Sequence, residues 1–359
     1  MARNTIARID VAALRHNLRQ VRKAAPGSRM MAVVKADAYG HRLDLCLPAL
    51  AEADMLAVAT LEEARAIRRL GSGLPILLLE GFTHASDLPV IAELGLELAI
   101  HHQHQIEALK RFNRPMAGRI WLKIDSGMHR LGISAEHAVE SHRALQRLPG
   151  IDQVNLMTHF ALAESPEDPL THRQLEIFQQ ATTSLDGERC IANSAAALLD
   201  PQTHQDWIRA GISLYGISPL ADRTGAELGL KPVMTLQAEL IAINQVAAGE
   251  TIGYGGRYRA PTSMLVGVVG AGYGDGYPRS AADGTPVLVD GCRCVVAGTV
   301  SMDMITIDLE SCPGARIGDP VELWGAGIPV EQVAHHAGTI AYELVCRITR
   351  RVRYRATQG

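Results

Sequence analysis

A parallel (β/α)8 barrel of the TIM type, followed by a mainly β domain, is the fold class this sequence predicts. Three observations lead there. Short apolar runs alternate with amphipathic segments over about the first 210 residues, the pattern of parallel α/β structure. After about residue 230 the runs become rich in valine, isoleucine and threonine and are separated by glycine-rich turns. Finally, several apolar runs of the first part end abruptly in a polar residue. Parallel barrel strands that all finish on one face would produce that pattern.

Asp10 reads as a helix N-cap, with Leu14, Leu18 and Val21 following at helical spacing and Pro26-Gly27 stopping the helix. Strand-like runs lie near 30–34, 56–60, 75–79, 97–101, 119–124, 153–158, 189–192 and 207–209. Helical segments fill the gaps at 61–70, 87–94, 103–112, 135–148 and 171–185, with a short one after 194. Eight β-α steps is the barrel count, although a doubly wound open sheet is the rival reading. The second domain shows strand-like runs at 264–269, 286–289, 294–300, 303–308 and 320–324, and helical pattern returns near 330–350. The boundary is placed in the turn-rich seam 221–231, giving domains 1–228 and 229–359.

The 359 residues are 47% apolar and 20% charged, as a packed globular protein requires. A net charge of −3 with interspersed signs leaves no electrostatic footprint for nucleic acid or an anionic membrane. MARNTIARID has no apolar core behind its arginines, so a signal peptide is not expected. Six scattered cysteines form no disulfide framework, which suits a reducing cytoplasm. Cys292-x-Cys294 has no second pair, and the histidines at 101–104 and 335–336 lack partners at ligand spacing, so no metal is expected. The glycines of GAGYGDG at 270–276 do not fall as G-x-G-x-x-G, which sets aside a dinucleotide loop.

The strand-end residues carry the chemistry. Lys35 ends the first run of the barrel and Lys123-Ile124-Asp125 the fifth. Thr158-His159 ends the sixth, Asn193-Ser194 follows the seventh, and Arg209-Ala210-Gly211 ends the eighth. Each alone has a bland reading as a solvated strand end or a structural histidine. Convergence on one rim makes the joint bland reading poor. Barrels often bind phosphate after strands 7 and 8. A hydroxyl at Ser194 and a small residue at Gly211 suit an anion. A phosphate site plus a strand-tip lysine suggests pyridoxal phosphate held as an imine. Phosphorylated sugars, or an aldolase with a Schiff-base lysine, fit the same residues.

The stretch AVVKADAYGH resembles the pyridoxal-phosphate signature of alanine racemases. LKIDSGMHRLG, THFA, ANSAA, RAGISLYG, AGYGDGYPR, GTVSMDM and AYEL resemble further segments of that family, in its order and across the whole chain. The resemblance implies a homodimer, pyridoxal 5'-phosphate as cofactor, and interconversion of L- and D-alanine. Lys35 would hold the cofactor and act as base on one face of the substrate. Tyr273 would be the opposite base, reaching into the other subunit's site. Arg209 would face the pyridine nitrogen, and His159 would link that arginine towards Tyr273. Tyr39, Asn193, Ser194, Gly211, Ile212 and Tyr342 would hold the cofactor, chiefly its phosphate. Arg130 and Met302 would contact the substrate, with Asp303 supporting. Lys123 would be carbamylated (N6-carboxylysine) and bridge to Arg130. A racemase of broader range and a cofactor-binding protein without turnover are the alternatives. A decarboxylase of basic amino acids would be expected to place a carboxylate, not Arg209, at the ring nitrogen.

Overall fold

The computed structural model describes residues 4–357 except 113, 117 and 166. In chain order the strands are β1 (Ile6–Asp10), β2 (Arg29–Val33), β3 (Met55–Val58), β4 (Ile76–Leu78), β5 (Glu97–Ile100), β6 (Gly118–Asp125), β7 (Ile133–Ser134), β8 (Ile151–Met157), β9 (Arg189–Cys190) and β10 (Trp207–Ala210). There follow β11 (Met234–Val246), β12 (Thr251–Ile252), β13 (Tyr258–Arg259), β14 (Met264–Val269), β15 (Pro286–Val289), β16 (Cys292–Val296), β17 (Ile305–Asp308), β18 (Pro320–Trp324) and β19 (Arg353–Thr357).

Two compact units divide the chain. One comprises residues 18–38 and 47–214. In it β2, β3, β4, β5, β6, β8, β9 and β10 pair in parallel, in the cyclic order β5-β4-β3-β2-β10-β9-β8-β6. The β5–β6 pairing, Leu98 opposite Ile120, closes the ring. This is the eight-stranded barrel, and the open-sheet rival is excluded. Its strands are apolar on both faces, as strands lined inside by packed side chains and outside by helices must be. Carboxylates and cations pair near the strand starts. Glu97 is bonded to Arg119 and to Trp121 Nε1 (2.7 Å). Glu188 is bonded to Arg29 and to Trp207 Nε1 (2.7 Å).

The other unit comprises residues 1–17, 39–46 and 215–359, within the described range. β11, β14, β17, β16, β15 and β18 pair antiparallel in a closed ring. β1 pairs antiparallel to β11, and β19 lies parallel to β1. The units therefore interleave in sequence, where the sequence reading placed one boundary at 228. β1 was invisible to that reading because its partners lie more than two hundred residues away, Ile6 opposite Gln237 and Arg353. The helix over Val11–Ala24 begins as expected, with Asp10 Oδ1 accepting from Ala13 N at 2.9 Å. Among the described residues no helix is long and apolar enough to cross a membrane.

Candidate functional site

Lys35 sits just past β2, and the chain then makes a left-handed turn. Ala36, Asp37, Ala38 and Tyr39 all have φ between 53° and 57°, a conformation that side chains other than glycine adopt reluctantly. Specific bonds hold it. Ala36 N donates to Glu63 Oε1 at 2.7 Å and Ala38 N to Val34 O at 2.9 Å. Glu63 closes a capping box with Thr60 at the head of the helix Leu61–Arg69, so a local helix signal doubles as an anchor for the lysine turn.

The ends of the other strands supply further cations. Lys123 lies in β6, and Arg209 in β10 is 4% exposed. Arg209 donates to the carbonyls of Thr158 (2.6 Å), Cys190 (2.8 Å) and Ile191 (3.2 Å), and to Cys190 Sγ and His159 Nδ1 (3.2 Å). All are neutral acceptors, so they fix the guanidinium without cancelling its charge. Burial, then the charges of Arg209, Lys123, Arg130 and Lys35, pushes His159 down to about 2. The imidazole is thus neutral. With Nδ1 accepting from Arg209, its proton belongs on Nε2. Burial, then Arg209 and Arg130, with a smaller push from Lys35, brings Lys123 down to about 8; Glu80 opposes them. These shared influences bring Lys35, Lys123, Arg130, His159 and Arg209 together electrostatically at one rim.

Arg130 is presented by a turn built on Asp125. That carboxylate accepts from Gly127 N, Met128 N and His129 N at 2.9–3.1 Å. Burial would raise its pKa, but these donors and His129 outweigh it and hold Asp125 below the usual range. After β9, Asn193 caps the short helix Ser194–Leu199 through a bond to Ala196 N at 3.1 Å. Ser194 Oγ accepts from Gly211 N at 2.9 Å and from Ser213 Oγ at 3.1 Å. Ser194, Gly211 and the buried Ile212 therefore form one polar corner between the ends of β9 and β10.

The remaining predicted residues lie in the other unit, in two groups. Tyr39 stacks on Tyr215 (centroids 5.0 Å) and tilts against Tyr342 (6.2 Å). Burial, then Tyr342 and Cys346, pushes its phenol up, so it remains a hydroxyl. Tyr273, Met302 and Asp303 form the second group. Tyr273 N donates to Ser301 O at 3.0 Å and Gly274 N to Met302 O at 2.9 Å. Tyr273 and Met302 are both largely exposed for their size, at 36% and 52%.

Sequence reasoning missed three participants. Glu80 follows β4 and is a carboxylate acting on the rim cation Lys123. The signal was there, since LLLEGF is another apolar run ending in a charge. Asp275 and Arg351, which brace the Tyr273 turn, had no local signature.

Comparison with known proteins agrees with this geometry. Residues 9–219 match the alanine racemase N-terminal domain and residues 233–356 the alanine racemase C-terminal domain. The chain is 47% identical over 351 residues to the biosynthetic alanine racemase of Pseudomonas aeruginosa, covering 98% of each. It is 49% identical over 356 residues to the alanine racemase of Thioalkalivibrio sulfidiphilus, covering 98% of this chain and 99% of that one. The crystal structure of the P. aeruginosa enzyme superposes with a TM-score of 0.96 over 99% of this chain and 100% of that one. The structure of Acinetobacter baumannii alanine racemase, 40% identical, superposes at 0.95 with the same coverage. With both domains matched along nearly its whole length, the chain belongs to the alanine racemase family.

Proposed function

We infer that this protein interconverts L- and D-alanine, using pyridoxal 5'-phosphate, as a homodimer whose sites are shared between subunits. The observation that carries the reading is the barrel rim. Lys35, Lys123, Arg130 and Arg209 gather there around Glu80 and a neutral His159. Such an excess of partly buried positive charge calls for anions. A phosphate ester and an amino-acid carboxylate meet that need.

The donor set fits the cofactor. Lys35 offers a primary amine for its aldehyde, and the Ser194–Gly211–Ile212 corner offers a hydroxyl and backbone N–H groups for its phosphate; Tyr39 and Tyr342 would join it as the family resemblance implies. Asn193 shapes that corner. Arg209 would face the ring nitrogen. Its charge is permanent, so it cannot accept a proton and favours an unprotonated ring. When bound, pyridoxal phosphate acidifies the substrate Cα–H by delocalising the electron pair left on that carbon.

The chain's own residues then move protons. Lys35 Nζ takes or returns the proton on one face of Cα, and Tyr273 Oη does so on the other. Two different bases on opposite faces are what inversion requires. Lys35 and Tyr273 lie in separate units, and the partner's Tyr273 completes the site in this reading. Arg130 binds the substrate carboxylate, and Met302 offers a backbone group beside it, with Asp303 in support. Six free thiols suit work in the cytoplasm.

Lys123 carries a carbamate in this proposal. A lysine with its pKa near 8 has a substantial neutral fraction at neutral pH, and the neutral amine is the form that adds carbon dioxide. The product is an anion beside Arg130 and Arg209. Native mass spectrometry with and without bicarbonate tests this, and a bare amine under both conditions rules it out.

The decisive experiment follows the optical rotation of L-alanine with purified protein and with Lys35→Ala. Decay to zero with the parent and none with the variant is expected. A steady rotation with cofactor bound would remove alanine as substrate.

A further inference from the structure

The turn that carries Tyr273 is braced by a residue far along the chain. Residues Tyr273–Asp275 make one tight turn, and the carboxylate of Asp275 is buried inside it, with Oδ2 accepting from Gly272 N at 3.0 Å. The turn is bonded by its backbone to residues 301–302, as described above. Each of the two strips carries an acid, Asp275 on one and Asp303 on the other. The guanidinium of Arg351 spans them, Nε 3.4 Å from Asp275 Oδ1 and Nη2 2.5 Å from Asp303 Oδ1. Thr349 adds two bonds, from Oγ1 to Gly274 O at 2.8 Å and from N to Asp275 O at 3.2 Å. A methyl group on Gly274 would collide with the Arg351 guanidinium, so the fork lies directly against the turn's backbone.

We propose that Arg351 is a positioning residue for the racemisation step: by clamping Asp275 to Asp303 it makes Tyr273 and Met302 one rigid piece and sets where the phenol meets the substrate Cα. The proposal rests on Tyr273 being one of the two proton carriers. Arg351 itself touches neither substrate nor cofactor in this reading. A planar guanidinium can bond two carboxylates at once in fixed directions, whereas a lysine supplies a point charge and cannot hold the same angle. Without the guanidinium, buried Asp275 loses the Arg351 charge beside it, and the turn keeps its backbone bonds to residues 301–302 but loses the side-chain tie between Asp275 and Asp303.

Rate alone cannot locate the affected step. The two enantiomers have equal free energy, so kcat/KM must fall equally in both directions whichever proton transfer slows. Primary isotope effects do separate the steps. Arg351→Ala, Arg351→Lys and Asp303→Asn should be assayed with Cα-deuterated and ordinary L- and D-alanine, alongside cofactor absorbance and the thermal midpoint. Arg350→Ala, an exposed neighbour, is the control for loss of one positive charge.

Misplacing a catalytic group by about 1 Å is worth up to about a hundredfold in rate, and a loss of about tenfold to a hundredfold is expected for Arg351→Ala. The isotope effect should grow for the enantiomer whose proton Tyr273 takes and not for the other, with cofactor absorbance retained. Arg351→Lys should recover part of the rate, and Asp303→Asn should show the same one-sided signature. Equal isotope effects for both enantiomers, or a rate matching that of Arg350→Ala, would overturn the proposal. Tyr273→Phe distinguishes the two levels. Near-normal turnover in that variant removes Tyr273 from the mechanism, whereas an inactive variant beside a symmetric Arg351→Ala removes only the clamp.

Discussion

Lys123 and His159 are both pulled far from their ordinary pKa, and both make stability depend on pH. For Lys123 the folded value, about 8, lies below its ordinary 10.5. The unfolded chain therefore binds more protons between those values, and folding is favoured as pH rises through that window. With the amine bare, burying the ammonium costs about 3 kcal/mol below pH 8 by the same linkage. Lys123→Met should thus raise the denaturation midpoint of cofactor-free protein depleted of carbon dioxide at pH 7 and flatten its rise between about pH 8 and 10. A midpoint insensitive to the substitution would mean that anions already compensate this lysine. His159 is depressed from 6.5 to about 2, so its contribution is present above 6.5 and lost as pH falls below it. His159→Asn should make acid unfolding shallower between pH 6 and 3, read by circular dichroism. Arg209 behaves differently, because it satisfies three carbonyls and an imidazole. Arg209→Ala leaves those buried acceptors bare and should cost about 3 kcal/mol in a urea titration, before any effect on turnover. These roles were legible in sequence as charged ends of apolar runs. The pKa directions were not, since they arise from neighbours on other strands.

The left-handed turn after β2 shows what one element has to overcome. Four non-glycine residues in that region cost about 1–2 kcal/mol each relative to ordinary backbone. Glu63 is one side chain opposing this, with Oε1 on Ala36 N and Oε2 on Ala59 N and Thr60 N. Glu63→Ala should therefore cost about 2 kcal/mol, more than a helix cap alone, and should also weaken cofactor retention by loosening Lys35. Equilibrium unfolding and the absorbance of retained cofactor after dialysis measure the two effects. Gly40, at φ 75°, passes so close to Val345 O that a Cβ has no room. Gly40→Ala should destabilise by at least about 1 kcal/mol on the same measurement. The motif KADAYG shows that something unusual follows the strand, but nothing in its letters predicts reversed handedness. Alanine and aspartate are there despite their preference, in a turn whose first N–H, that of Ala36, is held by residue 63. By contrast, the helix Leu61–Arg69 and its capping box were readable outright, because T-x-x-E and the apolar spacing are local.

At the scale of the whole molecule, the proposed sharing of sites between subunits makes a prediction that no single-chain mechanism shares. Lys35→Ala and Tyr273→Phe are each expected to be inactive. Unfolded together and refolded as a mixture, they should regain about a quarter of parental activity, because half the dimers are mixed and each of those has one intact site. No recovery would confine both bases to one chain. The eight-fold barrel was legible because each β-α step is short and repeats its own signals. The β unit was legible as a class but not in outline. Its long strand β11 carries bonds to β1, β14 and β18, and no stretch of thirteen residues announces three partners.

The pairing of β1 with β19 also bears on synthesis. β1 leaves the ribosome among the first residues, yet its two neighbours are β11 and β19, and 348 residues separate Ile9 from Thr357. The barrel's eight strands are all made before either neighbour of β1 exists. From the completion of β10 at residue 210 until β11 is made at residues 234–246, then, β1 has two unpaired edges although every barrel strand is present, and one edge stays open until β19. A nascent chain halted before residue 353 should bind chaperone through residues 6–10 and release it once β19 emerges. The pairing of β1 with β19 is completed only when residues 353–357 are made.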